Sequence, residues 1–353
     1  MERRTSREPE AEPGAAMNSL VLCRSPRRSQ TGVALIMVLL AMALVVMLAA
    51  GMTQHLSVRV YKASHYLTQS QGYSIALGAE ALAKEILFRD YDQDKKDSAY
   101  VDSPDEEWSQ YSAVLPLDNG VVEVQIDDLS GRINLNDLVN SAGKVDKVTH
   151  DRLVRLLQVL EITSVNVDAM VDWIDENDET VSAYGAEDGR YLSQDPPYRA
   201  ANQPFTSVTE LRLLDGITEE DYQALVPYVA TLPVSGSGIN VNMASSPVIQ
   251  SLNPQITAAQ AEAVIEQRTE ARFDSVQVFL ALPQFAGLGL KAAGLGVQSH
   301  FFEVVSRVTV DNRVANLVST VYRGPDGALS TVRRDTGQKN RITKEPFGVS
   351  NAE

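Results

Sequence analysis

Twenty consecutive positions from Val33 to Met52 carry neither charge nor proline. At about 1.5 Å of rise per residue the run spans roughly 30 Å, one hydrocarbon thickness. A buried core helix would show a polar stripe, so the pattern predicts a membrane-spanning helix. Apolar residues then recur at helical spacing through Leu56, Val60, Leu67, Ile75, Leu82 and Ile86, which predicts that the helix continues to about Arg89. Gly72 and Gly78 are costly inside it and mark bends or close packing. The acidic stretch from Asp90 to Glu107 reads as a solvated loop. Its Asp90, Asp92 and Asp94 imitate an EF-hand start, but Lys95 stands where the turn needs glycine and Val101 where the bidentate glutamate belongs.

Strand patterns cover Val121 to Ile126, Phe302 to Val310 and Ala315 to Tyr322, the last two joined by a hairpin turn at Asp311, Asn312 and Arg313. They predict an α+β fold, a long N-terminal helix packed on an antiparallel sheet, with a large all-α domain inserted at 136–298. A short repeat brackets the insertion, GRINLN at 131–136 and GINVN at 238–242. Alternating apolar and Asn residues suit short half-buried strands whose Asn side chains bind backbone, and each copy precedes helices, so two related lobes are expected. The tail at 335–353 lacks periodic apolar residues and reads as disordered.

Composition narrows the function. With 353 residues, 44% apolar and 22% charged, the chain is globular and long enough for two or three domains. Its 31 basic and 46 acidic residues give a charge of −15, the wrong sign for tracking phosphates. Cys23 is the only cysteine, which excludes an intrachain disulfide and a cysteine-based metal site. His55, His65, His150 and His300 are isolated, no HExxH or GxSxG occurs, and GLGLKAAGLG at 287–296 lacks dinucleotide-loop spacing, so no enzyme is expected. The alternative is a membrane-tethered helix-hairpin-helix DNA-binding protein, from the helix–turn–helix outlines around Gly216-Ile217 and in the run VNMASSPVIQSLNPQITAAQAEAVIEQR. Asp215, Glu219, Glu220 and Asp221 crowd the first turn with charge that repels phosphate.

The run DWIDENDET gathers Asp172, Asp175, Asp178 and Glu179, and GAEDGRY adds Glu187, Asp188 and Tyr191. Several carboxylates on one irregular loop are what a calcium ion needs, and equally what a solvated acidic surface looks like. Asp172 could instead cap or solvate a helix end.

Arg24, Arg27 and Arg28 precede the apolar run and Arg59 and Lys62 follow it, a weak orienting bias. Gly32 lies at the polar-to-apolar junction, after a basic leader. This junction resembles the type III signal of prepilins, cut after the glycine by a prepilin peptidase that methylates the new N-terminus, here Val33. Loss of 1–32 removes six basic and four acidic residues, taking the charge from −15 to −17, and Cys23 with them. Met17 offers a second start for a short leader. Pilins and pseudopilins carry glutamate at the fifth mature position, where this chain has Met37.

With GRINLND and the run WIDENDETVSAYGAEDGRYLSQDPPYRAANQPFTSVTELR at 173–212 added, the chain resembles the protein K family of the type II secretion system, the largest minor pseudopilins. The resemblance implies a leader at 1–32, a membrane segment at 33–52, pseudopilin helix and first core part at 53–135, the insertion at 136–298, core strands at 299–334 and the tail at 335–353. It implies a single-pass inner-membrane protein with its large C-terminal part in the periplasm. Its place is the pseudopilus tip with minor pseudopilins I and J, supplied by the prepilin peptidase and the inner-membrane assembly platform, with no nucleic acid. It also implies calcium in the inserted domain, with Asp175, Asp178, Glu187 and Asp188 as ligands and Asn177 and Asn202 as neutral-oxygen ligands.

Overall fold

The computed structural model describes residues 31–233, 236, 238–338 and 341–344. Expectations for Met17, Cys23, Arg24, Arg27, Arg28 and the residues after Lys344 lie outside them.

Two compact units divide at Ser64 and His65. The first contains the start of helix α1 (Thr31–Asp97), with Val33, Leu40 and Met47 exposed along it. Among the described residues α1 is the one helix long and apolar enough to cross a membrane.

In the second unit α1 runs to Asp97, a residue range beyond the expected end at Arg89. Lys96 pairs with Asp92 at 2.7 Å and Gln93 donates to Asp97 at 2.8 Å, spacing that supports another two turns, and Lys95 and Lys96 suit the negative helix end. The solvated loop expected at 90–107 is therefore corrected twice. Its first part is helix, and Asp102 in its second part is 1% exposed.

After α2 (Glu107–Gln110) come β1 (Ser112–Leu117) and β2 (Gly120–Asp128). The insertion follows, with β3 (Ile133–Asn134), α3 (Lys147–Val159), α4 (Val167–Ile174), α5 (Asp188–Tyr191), α6 (Glu219–Leu225) and β4 (Val229–Ala230) as its first half. Its second half holds β5 (Ile239–Asn240), α7 (Ser246–Ser251), α8 (Ala258–Glu270), α9 (Val276–Leu280) and β6 (Leu295–Gly296). The chain closes with β7 (Phe301–Val310), β8 (Arg313–Arg323) and β9 (Leu329–Asp335). The insertion is thus helical apart from four two-residue strands.

One antiparallel sheet has the order β1-β2-β7-β8-β9. Because β2 and β7 are direct neighbours, with Asp128 opposite Phe302, the chain leaves and re-enters the ladder at one place. A long excursion there costs the sheet no pairing. Between β7 and β8 the turn residues Asp311 and Asn312 have φ of 48° and 61°, the left-handed pair of a tight hairpin. The outer strands escaped the sequence reading because each is half exposed. β1 carries Pro116, tolerated at an edge, and β9 alternates half-buried with exposed positions, Ser330, Val332 and Arg334 being the exposed ones.

Along α1, Ala76, Ala79, Ala83 and Leu87 are buried at i, i+3 and i+4 steps against Val124, Ile126, Phe302, Val304, Leu317 and Val321. Small residues bring the helix axis close to the sheet. Gly72 continues this logic, since a Cβ there would stand 2.9 Å from the Ala315 Cβ, whereas Gly78 faces open space.

The tail is corrected as well, because 341–344 straps the sheet. Arg341 pairs with Glu303 at 3.2 Å, and Lys344 with Asp127 at 3.0 Å. Gln125, 0% exposed, accepts at Oε1 from the backbone N–H groups of Thr343 and Lys344, both at 2.8 Å. Stopping the chain at Asp335 orphans these buried groups and is expected to cost about 2 kcal/mol of stability. Urea unfolding of the truncated and complete proteins measures it, and equal midpoints would show the strap to be idle.

Candidate metal centre

The two Asn-rich repeats build two lobes in the same way. β3 pairs in parallel with β4, and β5 with β6. Asn134 Oδ1 accepts from Asn136 N at 3.2 Å, and Asn240 Oδ1 from Asn242 N at 2.9 Å. The next Asn in each copy reaches across its lobe. Asn136 exchanges hydrogen bonds with the backbone of Phe205 at 2.7 and 3.0 Å, and Asn242 with that of Phe273 at 2.9 and 3.0 Å. Each Phe opens a matching Phe-x-Ser-Val run whose serine, Ser207 or Ser275, caps the following helical turn. The repeat is therefore longer than its sequence motif, since its second half lies some 30 to 70 residues away.

In the first lobe, α4 buries Val167, Met170, Val171, Trp173 and Ile174, and among them Asp172 is 0% exposed. Asp175 caps the end of α4, and the chain from Glu176 to Ala186 folds back over both carboxylates. Val181 N donates to Asp172 Oδ1 at 2.9 Å. Gly185 passes so near that a Cβ there would stand 2.0 Å from Asp172 Oδ2. Glu187 follows just before α5, and carboxylate oxygens of Asp172, Asp175 and Glu187 lie within 4.8 Å of one another.

A second triad, Asp90, Asp102 and Glu106, is equally tight, and the contrast is informative. There the positive charge is built in, as Arg323 bonds Asp90 at 3.0 Å and also Asp102, and Arg272 bonds Glu106 at 3.0 Å. That triad is a structural ion-pair cluster. The Asp172 triad has no guanidinium or ammonium bonded to it among the described residues, and its oxygens are short of donors. Asp172 Oδ2, both Glu187 oxygens and the nearby Asn202 Oδ1 are buried without a hydrogen-bond partner. Burial, then Asp172 and Asp175, push the Glu187 carboxyl up to about 7, and burial raises Asp172 and Asp175 too. Four orphan oxygens around crowded carboxylates are a donor set for a hard divalent cation, which takes six to eight oxygens at about 2.3–2.6 Å.

Of the residues proposed from sequence, Asp175 and Glu187 enter the centre, and Asn202 joins its loop through Nδ2 donating to Asp178 Oδ1 at 3.1 Å. Asp188 does not. Its carboxylate pairs with Arg199 at 2.6 Å and accepts from Ala200 N at 3.0 Å. Asn177 is also engaged elsewhere, its Oδ1 accepting from Glu179 N at 2.8 Å, though its N–H supports Asp175 Oδ1 at 3.1 Å. Asp172, for which the sequence also allows capping or solvating a helix end, is the most deeply buried of the three carboxylates. The signal was its place one helical turn before Asp175, on the buried side of a short apolar helix.

Comparison with known proteins agrees with this architecture. The family described as "Type II secretion system (T2SS), protein K" matches residues 131–234 and 239–298, close to the two lobes. A type II secretion system protein K of Pseudomonas aeruginosa is 38% identical over 321 residues, covering 88% of this chain and 94% of that protein. The chain belongs to the type II secretion system protein K family. The protein K of Aeromonas hydrophila is 30% identical over 331 residues, covering 88% and 98% of the two chains. The K chain in the crystal structure of the GspK-GspI-GspJ complex from enterotoxigenic Escherichia coli superposes with a TM-score of 0.67 at 25% identity, covering 77% of this chain and 99% of its own. The core is thus a pseudopilin fold carrying the family's inserted lobes.

The helix-hairpin-helix outlines resolve into packing units. At α6 the Thr218 hydroxyl accepts from Asp221 N at 3.1 Å, and three acids fill its first turn. At α8 a capping box occupies two of the amides, Thr257 N donating to Gln260 Oε1 at 2.9 Å and Gln260 N to the Thr257 hydroxyl at 3.3 Å. In α1, Val33 and Met37 are exposed, and Gly32 has open space around it.

Proposed function

We propose that this chain is the minor pseudopilin at the tip of the type II secretion pseudopilus, where it joins minor pseudopilins I and J, initiates filament assembly and supports export of folded proteins across the outer membrane. The observation that carries the reading is the fit to the K chain of a K–I–J complex over 99% of that chain. The prepilin peptidase cuts after Gly32, Val33 becomes the methylated N-terminus, and the inner-membrane platform receives the processed subunit with its lobes in the periplasm.

Two features favour one copy at the tip. An unpaired charge inside a bilayer is costly, and the usual fifth-position glutamate is tolerated because it meets the amine of a neighbour. Met37 offers no such group, so the subunit is poorly suited to joining a shaft whose last amine awaits a carboxylate. The two lobes also enlarge the head beyond what a regular helical array accommodates at every position. The loop of the first lobe holds a calcium ion through Asp172, Asp175, Glu187 and the Asn202 carbonyl, which pins the returning segment to α4.

Co-expression with the cognate minor pseudopilins I and J tests the reading. A stoichiometric ternary complex and labelling at filament ends are expected. Regular labelling along the shaft, or no complex with I and J, would refute the tip assignment.

A further inference from the structure

Helix α4 grips the loop that closes over the metal centre at two points one turn apart. Val181 N donates to Asp172 Oδ1 at 2.9 Å, and the Ser182 hydroxyl donates to Asp168 Oδ2 at 2.5 Å. Ser182 also shapes the chain that follows, its Oγ accepting from Tyr184 N at 3.0 Å and its carbonyl from Gly185 N at 3.1 Å. That turn lays Gly185 against Asp172 Oδ2. From 176 to 184 every side chain except that of Ser182 is exposed, so no apolar residue pins the loop to the lobe. Hydrogen bonds must hold it instead. The bonds of Val181 to Asp172, of Asn177 to Asp175 and of Asp178 to Asn202 all involve candidate ligands, whereas the bond from Ser182 to Asp168 does not.

Asp168 is itself fixed from the far side. His150, on α3, donates from Nε2 to Asp168 Oδ1 at 2.8 Å, so each carboxylate oxygen has its own donor. Burial raises the Asp168 carboxyl, but Ser182 and His150 outweigh it and hold the group below the usual aspartate range. Bonds to an ionised acceptor are the strong ones. Serine, histidine and aspartate together invite comparison with a hydrolytic triad, but here the hydroxyl donates to the carboxylate and not to the imidazole. The trio positions; it does not activate a nucleophile.

Asp175 and Glu187 stand at the two ends of the loop 176–186 and, with Asp172, crowd their oxygens within 4.8 Å. Without an ion these carboxylates repel, which favours an open loop. An open loop must be ordered again each time a cation binds, and that entropy subtracts from affinity. We infer that His150, Asp168 and Ser182 form a latch that keeps the empty centre closed, so that a helix carrying none of the ligands sets the affinity for the divalent cation. The inference rests on reading the Asp172 centre as a calcium site.

Calcium titration by calorimetry on the chelator-treated full chain in nonionic detergent is one readout, and hydrogen exchange of the 176–186 amides without calcium is the other. Ser182→Ala is expected to weaken calcium about tenfold and to speed exchange in that loop about tenfold, with exchange in α3 and α4 unchanged. His150→Leu is expected to weaken calcium severalfold, and His150→Gln to restore it, because the glutamine amide nitrogen replaces Nε2 as donor to Asp168. Ser182→Thr keeps the hydroxyl and is expected to keep wild-type affinity, which separates loss of the bond from damage to the fold. Unchanged affinity and exchange in Ser182→Ala, or equal losses in His150→Leu and His150→Gln, would overturn the latch while leaving the calcium site standing. A wild type that binds no calcium would refute the site, and the inference with it.

Discussion

Chelation of divalent cations is expected to lower the unfolding midpoint of the full-length protein, and calcium to restore it. An ion bound only by the folded state contributes RT ln(1 + [L]/Kd), about 2.7 kcal/mol at a hundredfold excess over Kd. The geometry specifies which substitutions remove that response. Gly185→Ala places a methyl group 2.0 Å from Asp172 Oδ2, so the loop and the carboxylate cannot both keep their positions. Glu187→Gln removes the charge of a side chain whose two oxygens have no other partner. Both variants are expected to lose the calcium-dependent shift. Asp188→Asn disturbs the pair with Arg199 but should keep the shift, because both oxygens of that carboxylate are already engaged, by Arg199 and by Ala200 N. A calcium response lost in Asp188→Asn and retained in Glu187→Gln would reverse this assignment of ligands. An unchanged midpoint in both chelator and calcium would remove the metal altogether.

The same residues mark what the sequence discloses and what it conceals. The membrane run, the β7–β8 hairpin and the strand β2 are local patterns, set by periodicity over fewer than 25 positions, and each was legible. So was the neighbourhood of the acidic loop. Which carboxylates converge was not, because that depends on Gly185 folding back over α4 and on Arg199 drawing Asp188 away. No local pattern encodes either. The strap at 341–344 was missed for a related reason. Its Arg, Thr and Lys residues look solvated until Gln125, Asp127 and Glu303 supply partners more than 35 positions away. Asp102 likewise reads as surface until Arg323 at the end of β8 neutralises it. Apolar burial announces itself by periodicity, whereas polar burial becomes visible only with its distant partner.

Arg334→Met is expected to destabilise the core by about 2 kcal/mol, the size of lost hydrogen bonds to a charged group, because Lys84 still lies 2.9 Å from the Glu80 carboxylate. Glu80 sits on the sheet-facing side of α1 with its side chain 3% exposed. Arg334 on β9 holds it with two bonds at 2.7 and 2.9 Å, Thr331 donates at 2.6 Å, Ser319 at 2.7 Å, and Lys84 lies at 2.9 Å. Burial alone would raise the carboxyl, but Arg334, Thr331, Lys84 and Ser319 together outweigh it and hold the group below the usual glutamate range. The partners are not equivalent, because Arg334 is 42% exposed and can return to water whereas Glu80 cannot. Losing the arginine should therefore cost more than losing the acid. Glu80→Met is expected to cost less than Arg334→Met, and the double variant to recover much of the loss, a positive coupling in the cycle. The pH dependence has a definite sign. In the wild type a depressed folded value gives stability that is full above the ordinary value of 4.5 and is lost as pH falls toward the folded one. In Arg334→Met the carboxyl loses its largest lowering partner and protonates at higher pH than in the wild type, so the variant's deficit shrinks on acidification. Urea unfolding of the four proteins from pH 2 to 8 resolves the pattern, and equal deficits for the two single variants at every pH would show that the clamp does not act through Glu80.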